Sequence, residues 1–218
     1  MLFKKRISSV PTLDLRNYTP KALSGIKSIS SCAILLLPKN PSEEFMNQFS
    51  RIKLNAVALT LNAEPEKTFK LFNGVSIVSR ETVDDNSICL CNGVTFISET
   101  EELKNVDFIF NGMLIKNKDA KFNSLSCNGG SVEWDFDESK IMLYTNKVEV
   151  DSSFIKNCKD GAIIAAGNKV VLDSGVKEED IVSKDIRFVA GNKVVCDKSI
   201  YGCVASRSAV GNKVSCED

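Results

Sequence analysis

The chain of 218 residues has no histidine. That absence removes the general base of Ser-His-Asp and Cys-His sites, the commonest metal ligand and the side chain that titrates near neutral pH. Neither sign of charge is in excess. The 28 basic residues equal the 28 acidic ones, so no global field draws the chain to nucleic acid or to an anionic membrane. Long apolar runs are missing too, and the longest, Ala33 to Leu37, is far too short to span a bilayer. Lys4-Lys5-Arg6 is basic, yet Ser8-Ser9-Val10-Pro11 follows where a secretion signal needs an apolar segment. No Pro-rich, low-complexity or single-sign stretch marks a linker or tail. These absences predict a cytoplasmic protein with no nucleic-acid or membrane partner.

The eight cysteines contain no C-x₂-C pair, and no histidine can complete a metal site. They are read as reduced, small apolar core residues, and no cofactor or metal is expected. A nucleophilic cysteine would lack its base.

What the chain does have is a repeat. Asn168-Lys169-Val170-Val171-Leu172-Asp173 returns as Asn192-Lys193-Val194-Val195-Cys196-Asp197 and as Asn212-Lys213-Val214-Ser215-Cys216-Glu217. Glycine replaces lysine in Asn73-Gly74-Val75 and Asn92-Gly93-Val94. Aligned on the amide, the series runs Asn55, Asn73, Asn92, Asn111, Asn128, Asn146, Asn168, Asn192 and Asn212, at intervals of 17 to 24 residues. The second and fourth residues after each Asn are mostly apolar, as in a strand with one buried face. A second strand enters each Asn, for example Asp107-Phe108-Ile109-Phe110 and Ile186-Arg187-Phe188-Val189. One Asn-Gly between apolar runs would suggest a hairpin. A fixed period instead stacks the units in parallel and places the amides in one ladder.

The predicted fold is mainly β: a parallel β-solenoid of about ten coils of roughly 20 residues, some 4.8 Å apart. Residues 1–218 form a single elongated domain, with irregular capping coils over 1–70 and regular coils over 71–218. Helix-start signals at Thr19-Pro20, Ser42-Glu43-Glu44, Glu64-Pro65 and Thr100-Glu101-Glu102 predict helical turns in the first half and open loops in the second.

The Asn series is read as a structural turn ladder rather than a ligand groove. Asp151, Asp173, Asp197 and Glu217 form a column five residues after the Asn, the best lead toward catalysis. Its companion column, Lys147, Lys169, Lys193 and Lys213, favours a solvated surface. If Cys89, Cys91, Phe108 and Phe110 face inward, Ile88, Leu90, Ile109, Met142, Tyr144, Ile164, Phe188 and Val210 make an outward apolar stripe. Such a stripe is too large to leave wet. A reversed assignment, an intramolecular cover or a second subunit would each explain it, and the subunit contact is preferred.

Ala166-Gly167-Asn168-Lys169-Val170-Val171 and Ala190-Gly191-Asn192-Lys193-Val194-Val195 resemble the coils of bacterial polymer-forming β-helix proteins of bactofilin type, and are similar also to the C-terminal β-helix of septum-site and flagellar-assembly proteins. The resemblance covers about residues 145–218 and implies cytoplasmic scaffolding by self-association. Coils of 22 and 24 residues depart from it. The expected function is a non-enzymatic scaffold or interaction module that self-associates, or binds another protein, through a sheet face or open end. The alternatives are a carbohydrate-active or carbohydrate-binding β-helix using the Asp column, and a leucine-rich-repeat-like binding protein suggested by Ile29-x-x-Cys32-x-Ile34.

Overall fold

Parallel pairing joins every strand ladder among the described residues, 4–98 and 103–216 of the computed structural model. Parallel neighbours cannot be linked by a tight hairpin, and the spacing of the repeats supplies the longer crossover. Strand accounts for 50% of the chain and helix for 17%, so the protein is mainly β. Two compact units divide it, Met1–Lys67 and Thr68–Asp218.

The first unit is a three-stranded sheet, β1 (Lys5–Asp14), β2 (Ile26–Pro38) and β3 (Lys53–Ala63), in sequence order. Helices α1 (Pro20–Ser24) and α2 (Glu43–Phe49) fill the crossovers. Both start where the sequence signals it. The Thr19 hydroxyl accepts the Ala22 N–H ahead of Pro20, and the Ser42 hydroxyl accepts the Phe45 N–H ahead of two glutamates. Neither helix is long enough to persist alone. Leu23 and Phe45 anchor them in a core with Leu15, Ile29, Leu35 and Ile52. Glu64-Pro65 opens a turn and no helix. That turn is held by Arg16, whose buried guanidinium grips both Asp14 oxygens (2.9 and 2.7 Å) and donates to the Glu64 and Lys67 carbonyls.

The second unit contains two stacks. In the first, β4 (Thr68–Val78), β5 (Ser87–Ile97), β6 (Asp107–Lys116) and β7 (Asn123–Asn128) lie side by side in that order. The short β8 (Ser131–Glu133) pairs with β6 beyond the end of β7. The layers bend at Gly74, Gly93, Gly112 and Gly129, whose positive φ angles suit glycine. Phe108, Phe110, Cys89, Cys91 and Val83 pack inside.

In the second stack each of the first three layers is two short strands and a helix, and the last is two strands. The first layer is β9 (Ile141–Tyr144), β10 (Lys147–Val150) and α3 (Ser152–Asn157). Then follow β11 (Ile163–Ala166), β12 (Lys169–Leu172) and α4 (Glu178–Ser183). Next come β13 (Arg187–Ala190), β14 (Lys193–Cys196) and α5 (Tyr201–Ser206), and last β15 (Ser208–Val210) and β16 (Lys213–Cys216). Two parallel sheets result, β9-β11-β13-β15 and β10-β12-β14-β16.

Helical turns therefore belong to this second half of the chain as well as to the first unit, while loops close the layers of β4–β8. Six-residue helices with a single buried side chain, Ile155, Ile181 or Val204, leave no helical period to read. The Thr100-Glu101-Glu102 signal lies outside the described residues.

The predicted outward stripe also needs correction. Ile164 and Phe188 point into the second stack, beside Val170, Val194 and Ile181, and Met142, Tyr144 and Val210 pack against the same core. The opposite face of that sheet, Ile141, Ile163, Ala165, Val189 and Ala209, packs on Val75, Ile77, Val94, Phe96, Met113 and Ile115 of the first stack. A strand buried on both faces loses its alternation, so parity could not separate inside from outside. Ile88 and Leu90 are buried as well, at 1% and 2% exposure, and Ile109 is half-buried.

Candidate functional site

The amides form two files rather than one. Asn92 donates to Asn73 at 3.0 Å and Asn111 to Asn92 at 3.3 Å, with Asn128 next in register. In the second stack Asn168 donates to Asn146, Asn192 to Asn168 and Asn212 to Asn192, at 3.2, 3.2 and 3.3 Å. Asn55 belongs to neither file: it sits within β3, opposite Ser30 of β2. A further pair, Asn86 and Asn105, bonds at 2.9 Å from residues with positive φ. No sequence signal beyond the Asn residue type, tolerant of positive φ, pointed to it.

Glycines stack beside the amides. A Cβ on Gly93, Gly112 or Gly129 would lie 2.0–2.2 Å from the carbonyl oxygen of the glycine one layer back. Gly191 and Gly211 stand in the same relation to the preceding glycine, and Gly167 to Thr145, at 2.1–2.2 Å. Only the first layer of the second stack has a side chain here, Thr145.

The aspartate column is occupied in capping. Asp151 accepts the Phe154 N–H at 2.6 Å and so starts α3. Asp173 accepts the Gly175 N–H at 2.9 Å. Asp197 accepts both the N–H and the hydroxyl of Ser199, at 2.8 and 2.7 Å, and these bonds hold its carboxyl below the usual range. Glu217 lies outside the described residues. The lysines Lys147, Lys169, Lys193 and Lys213 are in register, one per layer. No group of three His, Cys, Asp or Glu gathers as a metal site among the described residues.

All eight cysteines are free. Burial pushes the Cys89 and Cys91 thiols up to about 12 and the Cys196 thiol up to about 11, so they stay protonated and unreactive at neutral pH. Cys127 and Cys216 are exposed, against the expectation of core positions.

The place where apolar surface meets unpaired backbone is the first layer of the second stack. Met142, Phe154 and Cys158 line a cavity of about 370 Å³ rimmed by Asp151, Ser153 and Asn157. Cys158 bridges inward, its sulfur 3.8 Å from that of Met142. Met142 and Tyr144 are half-buried, whereas Ile164 and Phe188, above Met142 in register, are sealed at 0% exposure. No strand pairs with the outer edges of β9 and β10 among the described residues. Of the eight residues expected at an interface, Met142 lines this mouth, Tyr144 packs behind it against the Phe154 ring (centroids 6.3 Å apart), and Val210 lies in the last layer, half-buried. The remainder are dispersed through the second unit. Phe154, the largest side chain of the cavity wall, was not anticipated.

Comparison with protein-family models, curated proteins and solved structures finds no match to this chain. No described helix is long and apolar enough to cross a membrane.

Proposed function

We propose that the chain is a non-enzymatic β-solenoid scaffold, of three, four and four coils in its successive stacks, that self-associates through the mouth of the last stack. The supporting observation is the coincidence of the 370 Å³ apolar cavity with the unpaired edges of β9 and β10. An open parallel edge recruits another strand unless something blocks it. Thr145 blocks one mode: a further coil in register would set its carbonyl about 2.1 Å from the Thr145 Cβ, as between successive layers above. The mouth therefore takes a second copy mouth to mouth about a two-fold axis, which closes as a dimer instead of extending as a filament. This departs from the polymer implied by the bactofilin-type resemblance while keeping its scaffolding role in a reducing cytoplasm. The aspartate column does not support carbohydrate cleavage, because each described carboxylate is engaged with backbone N–H groups of its own layer.

Size-exclusion chromatography with light scattering tests this reading. The unaltered chain should run as a dimer, and Ser153→Arg, at the exposed rim, should give a monomer with unchanged circular dichroism. A chain that stays monomeric at every concentration overturns the proposal.

A further inference from the structure

Zero net charge conceals an imbalance between the units. Residues 1–67 carry ten basic and five acidic side chains, and residues 68–218 carry 18 and 23. Three of the ten cations meet on one face of the first sheet, in a cavity of about 540 Å³. Arg6 of β1, Ser28 of β2 and Lys53 of β3 are in register across the sheet. Two residues along, and so on the same face, Ser8, Ser30 and Asn55 form a second row. The third cation, Lys27, is delivered by a bulge: Lys5 pairs with Ile26 and Arg6 with Ser28, leaving Lys27 as the extra residue.

A local backbone irregularity borders this face. Ser9, Ser31 and Ala56, one per strand and each directly after the serine–serine–asparagine row, have φ of 58°, 52° and 54°. Non-glycine residues enter that left-handed region only at a cost in strain, and such strain concentrates at ligand sites. Three aligned instances interrupt the pairing of all three strands at one row, directly beside the row of Ser8, Ser30 and Asn55 that lines the cavity. Pairing resumes at Val10, Cys32 and Val57.

No carboxylate lines this bowl among the described residues. Three cations elsewhere in the unit are matched, Arg16 to Asp14 and both Lys39 and Lys67 to Glu64. Three like charges facing a common space, with three hydroxyls and an amide beside them, form a receptor for an oxyanion on a polar body. We propose that the N-terminal unit binds a small phosphorylated polyol or sugar, its phosphate held by Arg6, Lys27 and Lys53 and its hydroxyls by the serines and Asn55. The volume is that of a small-molecule site. With no aromatic side chain in the lining there is no platform for stacked bases, which favours this ligand over a nucleic-acid strand.

Isothermal titration of the full chain at matched ionic strength tests the assignment, with fructose 1,6-bisphosphate, inorganic phosphate and a single-stranded oligothymidylate as probes. The bisphosphate should bind saturably and more tightly than inorganic phosphate. The double variant Arg6→Gln/Lys53→Gln should weaken it by about tenfold or more with an unchanged urea midpoint, since both side chains are exposed. Ser30→Ala should weaken the bisphosphate while leaving inorganic phosphate unaffected. Absence of bisphosphate binding, equal binding by the double variant, or tighter binding of the oligothymidylate would each overturn the proposal.

Discussion

Replacing Gly191 with alanine places a methyl group 2.1 Å from the Gly167 carbonyl oxygen and 3.1 Å from its carbon. Both are backbone atoms of the adjacent layer, so no side chain can swing aside. Gly191 does not have positive φ, and the strain would come from stacking alone. Ordinary contact begins near 3.4 Å, so the layers must part by more than an ångström. Among the backbone bonds that cross that seam, the two nearest the methyl run from Gly191 N–H to Ala166 at 3.0 Å and from Asn192 N–H to Asn168 at 2.9 Å. Lengthened by that much, neither remains a hydrogen bond. Their loss at about 1 kcal/mol each, with overpacking of about 1–3 kcal/mol, makes the expected destabilisation about 3–5 kcal/mol. Gly202 is the internal control. Nothing lies within 4 Å of its Cβ position, and it sits in α5, where alanine is favoured by somewhat under about 1 kcal/mol.

Urea unfolding followed by Trp134 fluorescence reads both variants. Trp134 is the only tryptophan, and it packs in the second unit with the Arg187 guanidinium 5.5 Å from its ring. Gly191→Ala should lower the unfolding free energy with little change in slope, and Gly202→Ala should raise it slightly. A Gly191→Ala chain within about 1 kcal/mol of the unaltered protein would refute the close stacking of layers, because overpacking of that severity is not absorbed so cheaply.

The other predictions rest on side chains. Asn192→Ala removes one bond given to Asn168 and one taken from Asn212, and being exposed should cost about 1 kcal/mol, against roughly half that for the terminal Asn212→Ala, by urea midpoints. The Asp14 carboxyl is held below its ordinary 3.8 chiefly by the Arg16 side chain, and the Asp197 carboxyl by the Ser199 N–H and hydroxyl. A depressed folded pKa stabilises above the unfolded value and is lost as pH falls through the folded one, so Asp14→Asn and Asp197→Asn should each flatten the acid limb of a stability–pH curve below about pH 4. In the native chain, Cys127 and Cys216 should react quickly with a chromogenic disulfide while Cys89 and Cys91 wait for unfolding, as timed by the release of colour.

Much of the layering was legible because it depends on backbone chemistry. Asn and Gly at a bend, and Thr or Ser ahead of a first helical turn, act through groups within a few residues of themselves. Hence the registers Asn73-Asn92-Asn111 and Asn168-Asn192-Asn212, and the starts of α1 and α2, follow from spacing. The facing of β11 and β13 does not, because Ile163, Ile164, Ala165 and Ala166 are all buried, each face by a different neighbour. The mouth is equally silent in sequence. Met142 and Tyr144 have the same apolar character as the residues stacked above them, and what leaves them half-open is that no strand among the described residues pairs beneath them. The cationic bowl depends on a bulge and three positive-φ residues of ordinary type, Ser9, Ser31 and Ala56, which carry no turn chemistry of their own.

One switch in the sequence does mark the passage between the two stacks. In the first, glycine follows the amide, as in Asn73-Gly74, Asn92-Gly93, Asn111-Gly112 and Asn128-Gly129. In the second it precedes the amide, as in Gly167-Asn168, Gly191-Asn192 and Gly211-Asn212. The first arrangement bends the layer at a positive-φ glycine, within one continuous strand in β4, β5 and β6 and between β7 and β8 in the last layer, whereas the second breaks every layer into two strands and needs glycine for clearance alone. Both arrangements keep Asn at nearly one spacing, so the amides form a single series in the sequence and two files in the fold. Thr145-Asn146 stands at the switch, where a layer that begins a stack has no carbonyl beneath it and a side chain is tolerated. Thr145 thus marks the first layer of the second stack, its Cβ standing where every later layer keeps glycine because a carbonyl oxygen of the preceding layer lies 2.1–2.2 Å away.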